Sequence, residues 1–130
     1  MSKITVENLR IPAESADRNV RGVAAAWANF NSWTTTYVRD SLNVASLTDD
    51  GNGRTTTNFS SAFANTNYAL TGGYSRRDNV IPQATNTVTS DLSDTKTVTA
   101  FKVKVVYADN AISGLVDSHE VGISFHGDLA

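Results

Sequence analysis

Two histidines near the C-terminus, His119 and His126, are the first candidates for chemistry, because acidic residues accompany them at Asp117, Glu120 and Asp128. Imidazole and carboxylate groups together can bind a metal ion such as zinc. The two histidines are seven positions apart, however, and residues seven apart on a β-strand point to opposite faces. We therefore expect no metal site and interpret both histidines as polar surface or interface residues.

The segment Asp49-Asp50-Gly51-Asn52-Gly53 has the density of oxygen ligands that a calcium loop needs. It lacks the alternating acidic spacing and the distal glutamate of such loops, whereas Asp-Gly and Asn-Gly are typical of tight turns between antiparallel strands. We therefore predict strand, turn and strand over residues 42–60. The chain also has no phosphate loop, no Gly-x-Ser-x-Gly elbow and no paired-carboxylate signature. We expect neither an enzyme nor a cofactor.

A second set of candidates follows Tyr74, in the polar stretch from Ser75 to Asp94. This stretch is long and rich in Thr, Asn and Ser, as is typical of an exposed loop on a rigid scaffold. Arg76, Arg77 and Asn79 provide hydrogen-bond donors, so together with Tyr74 they are predicted to contact a receptor. The alternative interpretation is a solvated connection or a contact to a neighbouring chain. Trp33 and Tyr37 are the other aromatic residues that we expect at the surface.

Strand patterns supply the scaffold. Apolar residues alternate with Lys102 and Lys104 within residues 96–108, which predicts one apolar face and two ammonium groups in water. Residues 121–126 alternate in the same way, and we expect these two segments to pair as adjacent antiparallel strands. Residues 13–30 fit an amphipathic helix, but Val23 to Phe30 also fits a strand that is apolar on both faces. In either case we expect Trp27 to be buried, in the core or between chains.

The composition favours a β protein and excludes several other classes of protein. Thr, Ser and Asn, which disfavour helix interiors, fill 41 of the 130 positions. The net charge of −2 and a pI near 5.5 provide no electrostatic attraction for nucleic acid. The chain has no cysteine, which excludes disulfides and thiol chemistry, and its longest apolar run of about six residues is too short for membrane insertion.

The first 22 residues differ from the rest of the chain because charges are concentrated there. We therefore divide the chain into a leader, residues 1–22, and a β-rich domain, residues 23–130. The leader is predicted to dock onto another protein, and the residues expected to form its docking surface are Lys3, Glu7, Arg10, Arg18 and Arg21.

An ordered series of motifs resembles a module of bacteriophage tail-fibre and related virion proteins. Its fragments are Ala-Trp-Ala-Asn-Phe-Asn at 26–31, Val-Arg-Asp-Ser-Leu-Asn-Val-Ala-Ser-Leu-Thr-Asp-Asp-Gly-Asn-Gly at 38–53, Thr-Asn-Phe at 57–59 and Asn-Thr-Asn-Tyr-Ala at 65–69. The resemblance covers about half the chain, from Gly22 to about Gly73. It departs from the module at residues 33–36, where Trp-Thr-Thr-Thr replaces a Gly-rich turn.

The resemblance implies a mainly β, antiparallel, sandwich-like fibre or tip domain that intertwines as a homotrimer. It also implies a virion protein, assembled in the host cytoplasm, that attaches to a glycan or protein of the host cell surface. The leader would then dock onto other virion proteins. The alternative function is an architectural one, as a head fibre, decoration or tail-tip adaptor that binds no receptor.

Overall fold

The computed structural model describes residues 8–9, 18–19, 23–75, 85–89, 96–109 and 112–130. Within these ranges the structure has no helix that is long and apolar enough to cross a membrane. Eleven strands are present in them: β1 Asn8–Leu9, β2 Arg18–Asn19, β3 Ala26–Asn31, β4 Tyr37–Leu42, β5 Val44–Asp49, β6 Arg54–Phe59, β7 Ala69–Ser75, β8 Thr85–Thr89, β9 Ala100–Asp109, β10 Ile112–Leu115 and β11 Glu120–His126.

The strands form two larger antiparallel sheets and one short pair. Sheet I has the order β4-β3-β11-β7, and sheet II contains β5, β6, β9, β8 and β10, of which β6, β8 and β10 all pair with β9. Strands β1 and β2, within residues 1–22, pair with each other. The mainly β class is therefore confirmed, with two antiparallel sheets. The predicted pairing of residues 96–108 with 121–126 is wrong, because β9 and β11 lie in different sheets.

An aromatic cluster joins the inner faces of the two sheets. Phe125 of sheet I contacts Phe59 and Phe101 of sheet II, with ring centroids 5.0 and 5.3 Å apart. Tyr68 stacks on Phe63 at 4.3 Å and lies 5.9 Å from Phe125. Edge-to-face contacts of this kind stabilise by about 0.5–1.5 kcal/mol each beyond the burial of their area. Aliphatic residues of β3, β9 and β11 complete the core: Ala26, Ala28, Val103, Val105, Val121 and Ile123.

In the segment left open between helix and strand, residues 26–30 belong to strand β3. Ala26, Ala28 and Phe30 of β3 are fully buried on the inner face, and the residues between them are only half-buried. Period-two burial is the signature of a strand with one face in the core. The alternation of small residues with Phe30 therefore determines which side of β3 meets sheet II.

Two other expectations fail because of tertiary context. The polar stretch from Ser75 to Asp94 contains β8, which pairs with β9 and so is not a continuous loop. Lys104 was expected in water, yet its exposed fraction is only 8%. It lies opposite Thr89 of β8 and Arg54 of β6, so a neighbouring strand flanks it on each side. An exposed ammonium group was predicted from alternation alone, which does not reveal the neighbouring strands.

The predicted turn at 49–53 is confirmed, and it docks against the connection that follows β10. Gly53 has a φ of 65°, and its N–H donates to Asp117 Oδ1 at 2.7 Å. Asn52 Nδ2 donates to the carbonyl of Leu115 at 2.9 Å. A Cβ on Gly53 would lie only 2.5 Å from the backbone nitrogen of Val116. The turn therefore requires glycine here for both its backbone conformation and its close packing.

Substituting Gly53 tests this docking, with Gly51 as the matched control. Gly51 also has a positive φ of 101°, but a Cβ added there would meet no atom within 4 Å, so Gly51→Ala reports backbone strain alone. That strain costs about 1–3 kcal/mol. We expect Gly53→Ala to reduce the free energy of unfolding by more than Gly51→Ala, measured by urea denaturation. Equal losses would contradict the steric role of the contact with Val116.

The buried Tyr68 predicts how stability depends on alkaline pH. The ring is 2% exposed, its hydroxyl donates to the Thr97 carbonyl at 2.8 Å, and burial raises the pKa of Tyr68 from 10.0 to about 12. Because the unfolded chain loses this proton at a lower pH, the stabilisation is complete below pH 10 and is lost as pH rises towards 12. We expect the wild type to lose stability over this range more steeply than Tyr68→Phe, which is measured by urea denaturation at each pH. Parallel profiles would contradict the assignment.

Candidate binding surface

The side of sheet I that faces away from sheet II, here called the outer face, holds the best candidate for binding. Because β3 buries Ala26, Ala28 and Phe30, the alternating Trp27 and Asn29 project to the opposite side. Strand registers place further residues on that side, since directly paired residues share a face. They form two rows across the sheet, with two separate pairs beyond the second row: Leu42, Trp27, Ser124 and Thr71; Asp40, Asn29, Gly122 and Gly73; Tyr37 with the buried Asn31; Glu120 with Ser75.

Glycines make the second row low and open. Gly122 and Gly73 are directly paired, and a Cβ added to either would meet no atom within 4 Å. On one side of this strip stands Trp27, which is half-buried and pairs with Leu42, whose exposed fraction is 49%. On the other side stands the exposed Glu120. The outer face therefore presents a shallow strip with an apolar border and an acidic border.

Polar groups on this strip are already oriented by one another. Asn29 Nδ2 donates to Glu120 Oε1 at 3.2 Å, and Arg39 Nη1 donates to Asn29 Oδ1 at 3.4 Å. The guanidinium carbon of Arg39 also lies 5.8 Å from the centre of the Tyr37 ring. These contacts determine which end of the Asn29 amide donates. A ligand would thus meet a carboxylate, an amide and a guanidinium group side by side.

A second polar array lies along β11 at the other end of the face. The hydroxyl oxygens of Thr71 and Ser124 are 2.7 Å apart, and Ser124 Oγ lies 3.2 Å from His126 Nε2. The sequence alternation of residues 121–126 predicted which residues of β11 face outward. It did not predict that Thr71 of β7 or Asn29 of β3 would be their neighbours, because no local signal specifies strand order.

Another cluster supports the point where the predicted receptor segment begins. Trp33 stacks on His119, with ring centroids 5.3 Å apart, and the buried His119 Nε2 has no hydrogen-bond partner among the described residues. Next to it, the Ser118 hydroxyl donates to the carbonyls of Ser75 and Glu120. Ser118 therefore ties the end of β7 to the start of β11. Trp33, expected at the surface, is half-buried by this stack.

The structure leaves most of the predicted site residues outside its described ranges. Arg76, Arg77 and Asn79 lie outside them, as do Lys3, Glu7, Arg10 and Arg21 of the leader. Arg18 is placed in β2 as backbone. Tyr74 is described: it packs against the core, and its hydroxyl donates to the carbonyl of Val106 at 3.2 Å. Its position connects the two sheets, and its predicted contact with a receptor stays a prediction.

The two histidines considered as metal ligands, His119 and His126, lie at opposite ends of β11. His119 precedes the strand and His126 ends it. In the described part of the chain, no group of three or more His, Cys, Asp or Glu side chains is arranged to hold a metal ion. The groups described on the outer face are hydrogen-bonding side chains, charged side chains and the Trp27 ring.

Comparison with known proteins yields no relative. No family model, curated protein or solved structure matches this chain.

The position of Trp27 predicts its contribution to stability. Of the two alternatives for Trp27, burial in the core is wrong, because the ring lies half-buried on the outer face, while Phe30 of the same strand is fully buried. Burial of Trp27 between chains stays a prediction. Phe30→Ala is expected to cost about 3–5 kcal/mol through loss of packing and cavity formation. We expect Trp27→Ala to leave the fold intact and to cost clearly less, as measured by urea denaturation. A loss for Trp27→Ala equal to that for Phe30→Ala would show that the indole is part of the packed interior.

Proposed function

We propose that this protein is a bacteriophage virion protein of tail-fibre or tip type that attaches to the host cell surface through the outer face. The motif series at residues 26–69 supports the class of protein. The observation that carries the binding role is the strip over Gly122 and Gly73, where Trp27 stands beside the oriented Asn29 and Glu120. The proposed ligand is a host glycan.

The chemistry of the strip suits a sugar. A pyranose ring has an apolar C–H face and a rim of hydroxyl groups, so it combines well with an aromatic ring flanked by hydrogen-bonding groups. The open strip leaves room for such a ring beside Trp27. The Glu120 carboxylate accepts hydrogen bonds from hydroxyl groups, and the Arg39 guanidinium binds a carboxylate or phosphate substituent.

The predicted receptor segment follows directly on a residue of this face. Ser75, the last residue of β7, pairs with Glu120, and the chain continues from there to Arg76, Arg77 and Asn79. In this proposal these three residues extend the binding surface beyond its acidic border. Their basic groups would contact the same ligand or a neighbouring sugar unit.

A glycan array with the purified protein tests the attachment function. We expect the wild type to bind a restricted set of glycans, and the double variant Trp27→Ala/Asn29→Ala to lose about tenfold or more in affinity. Asn58→Ala is the matched control, because Asn58 bonds to Ser46 and Thr48 on the exposed side of sheet II. This control should bind as the wild type does.

The triple variant Arg76→Ala/Arg77→Ala/Asn79→Ala separates the two parts of the surface. Loss of binding in this variant alone, with unchanged melting temperature, would move the receptor site from the outer face to the segment after Ser75. Two results together would contradict the attachment function. The wild type would bind no glycan, and virions that carry the double or the triple variant would adsorb to host cells as well as wild-type virions do.

The second candidate is the architectural role, and one feature of the structure favours it. Strand β4 exposes three large apolar side chains, Tyr37, Val38 and Leu42, which suits contact with another protein. In this role the leader docks onto another virion protein and no receptor is bound. Negative-stain imaging of labelled particles would locate the protein on the virion. The threefold assembly that the resemblance implies stays a prediction. Light scattering tests it by measuring the number of chains per particle.

A further inference from the structure

Strand β4 is an exposed edge of sheet I. Of the described strands only β3 pairs with it. Its exposed apolar residues are Tyr37, Val38 and Leu42, with exposed fractions of 49, 37 and 49%. An edge strand leaves one row of backbone N–H and C=O groups without strand partners, and such a row is a template for pairing with another chain. A partner strand must be complementary to β4 in its side chains.

The sequence of β4, Tyr-Val-Arg-Asp-Ser-Leu, is complementary to itself when it is reversed. In an antiparallel arrangement centred between Arg39 and Asp40, Arg39 lies opposite Asp40 of the second copy. In the same arrangement Tyr37 lies opposite Leu42, and Val38 lies opposite Ser41. The first of these pairs joins opposite charges, the second joins two exposed apolar residues, and the third joins two smaller side chains.

The facing of these residues agrees with that arrangement. Directly opposite residues in an antiparallel pair must share a face. Tyr37 and Leu42 are both on the outer face, because they pair with Asn31 and Trp27. Asp40 pairs with Asn29, and Arg39 donates to the Asn29 side chain, so both charged groups are also on the outer face. Val38 and Ser41 pair with the buried Phe30 and Ala28 on the inner side.

We propose that β4 pairs with β4 of a second copy of this chain across a twofold axis between Arg39 and Asp40. The two copies of sheet I then form one continuous antiparallel sheet, with both outer faces on the same side. Trp27 and Leu42 of one copy then lie in one row with Tyr37 of the second copy. This row covers apolar surface that each chain alone exposes. This pairing does not depend on what the outer face binds.

The opposing feature is the irregularity of β4 at its centre. Its register with β3 shifts between Asn29 and Phe30, so Arg39 is an extra residue in the strand. Bulges of this kind on edge strands can prevent pairing with another chain. The twofold pairing also restricts the number of chains: it combines with a threefold assembly only in a closed particle whose number of chains is a multiple of six.

Charge reversal tests the pairing of Arg39 with Asp40. We expect the wild type to form particles with an even number of chains in analytical ultracentrifugation. Arg39→Asp and Asp40→Arg should each weaken association about tenfold or more, because like charges then face each other. The double variant Arg39→Asp/Asp40→Arg restores opposite charges and should restore association. Arg54→Asp, the same charge change on an exposed residue of sheet II, is the control.

Cysteine pairing tests the register itself, since the chain has no cysteine of its own. Mixing Tyr37→Cys with Leu42→Cys under mild oxidation should give a disulfide-linked dimer, because opposite Cα atoms lie about 4.5–5.5 Å apart. Each variant alone should not crosslink, because identical positions are then about 17 Å apart along the strands. Melting temperatures establish that both variants fold.

Single chains or three-chain particles of the wild type would overturn the pairing. So would crosslinking within one variant, or association of the charge-swapped double variant no stronger than that of the single variants. Single chains would show that the extra residue at Arg39 keeps this edge solvated. Glycan binding by such single chains would leave the proposed attachment function intact, so the two proposals fail separately.

Discussion

The contact of Phe125 with the aromatic side chains of sheet II is the interaction on which the rest of the structure depends. Phe125 is fully buried and meets Phe59 and Phe101 of sheet II, and Tyr68 just before β7, at ring-centroid distances of 5.0–5.9 Å. This cluster brings one face of each sheet together. Because successive residues of a strand point to opposite sides, burial of Phe125 and Phe30 commits Ser124 and Asn29 to the outer face. The core therefore selects the residues that are available for binding.

A single residue between β4 and β5 transfers the chain from one sheet to the other. Asn43 has a φ of 55°, a conformation that asparagine tolerates better than most residues. Its side chain accepts from the N–H of Ser61 at 2.7 Å and donates to the Ser61 carbonyl at 3.2 Å. The segment from β4 through Asn43 to β5 thus contributes β4 to sheet I and β5 to sheet II. Each of these two strands pairs with a single neighbour among the described strands. An exposed edge is a consequence of this connection.

The outer face and the β4 edge adjoin each other. Leu42 of the edge pairs with Trp27 at the apolar border of the strip, and Arg39 bonds to Asn29 in its centre. Attachment and self-association would thus use neighbouring residues, and Arg39 belongs to both. Oriented polar groups around an open strip suit a hydroxylated ligand, whereas an apolar strand with unpaired backbone groups suits another strand. Pairing of two chains would double the number of strips on one side.

The sequence by itself determined the local structure. Alternating residues at 121–126 specified a strand and its inner side, the Asp-Gly-Asn-Gly segment specified a turn, and the content of Thr, Ser and Asn excluded a helical protein. These signals are local, because they arise from backbone geometry and from the period of the side chains. Tertiary structure alone decided that β11 lies between β3 and β7 and not beside β9, that Lys104 is covered, and that Trp27 faces outward. Each of those outcomes depends on contacts between residues far apart in the chain, and the pattern of a single strand does not specify its neighbours.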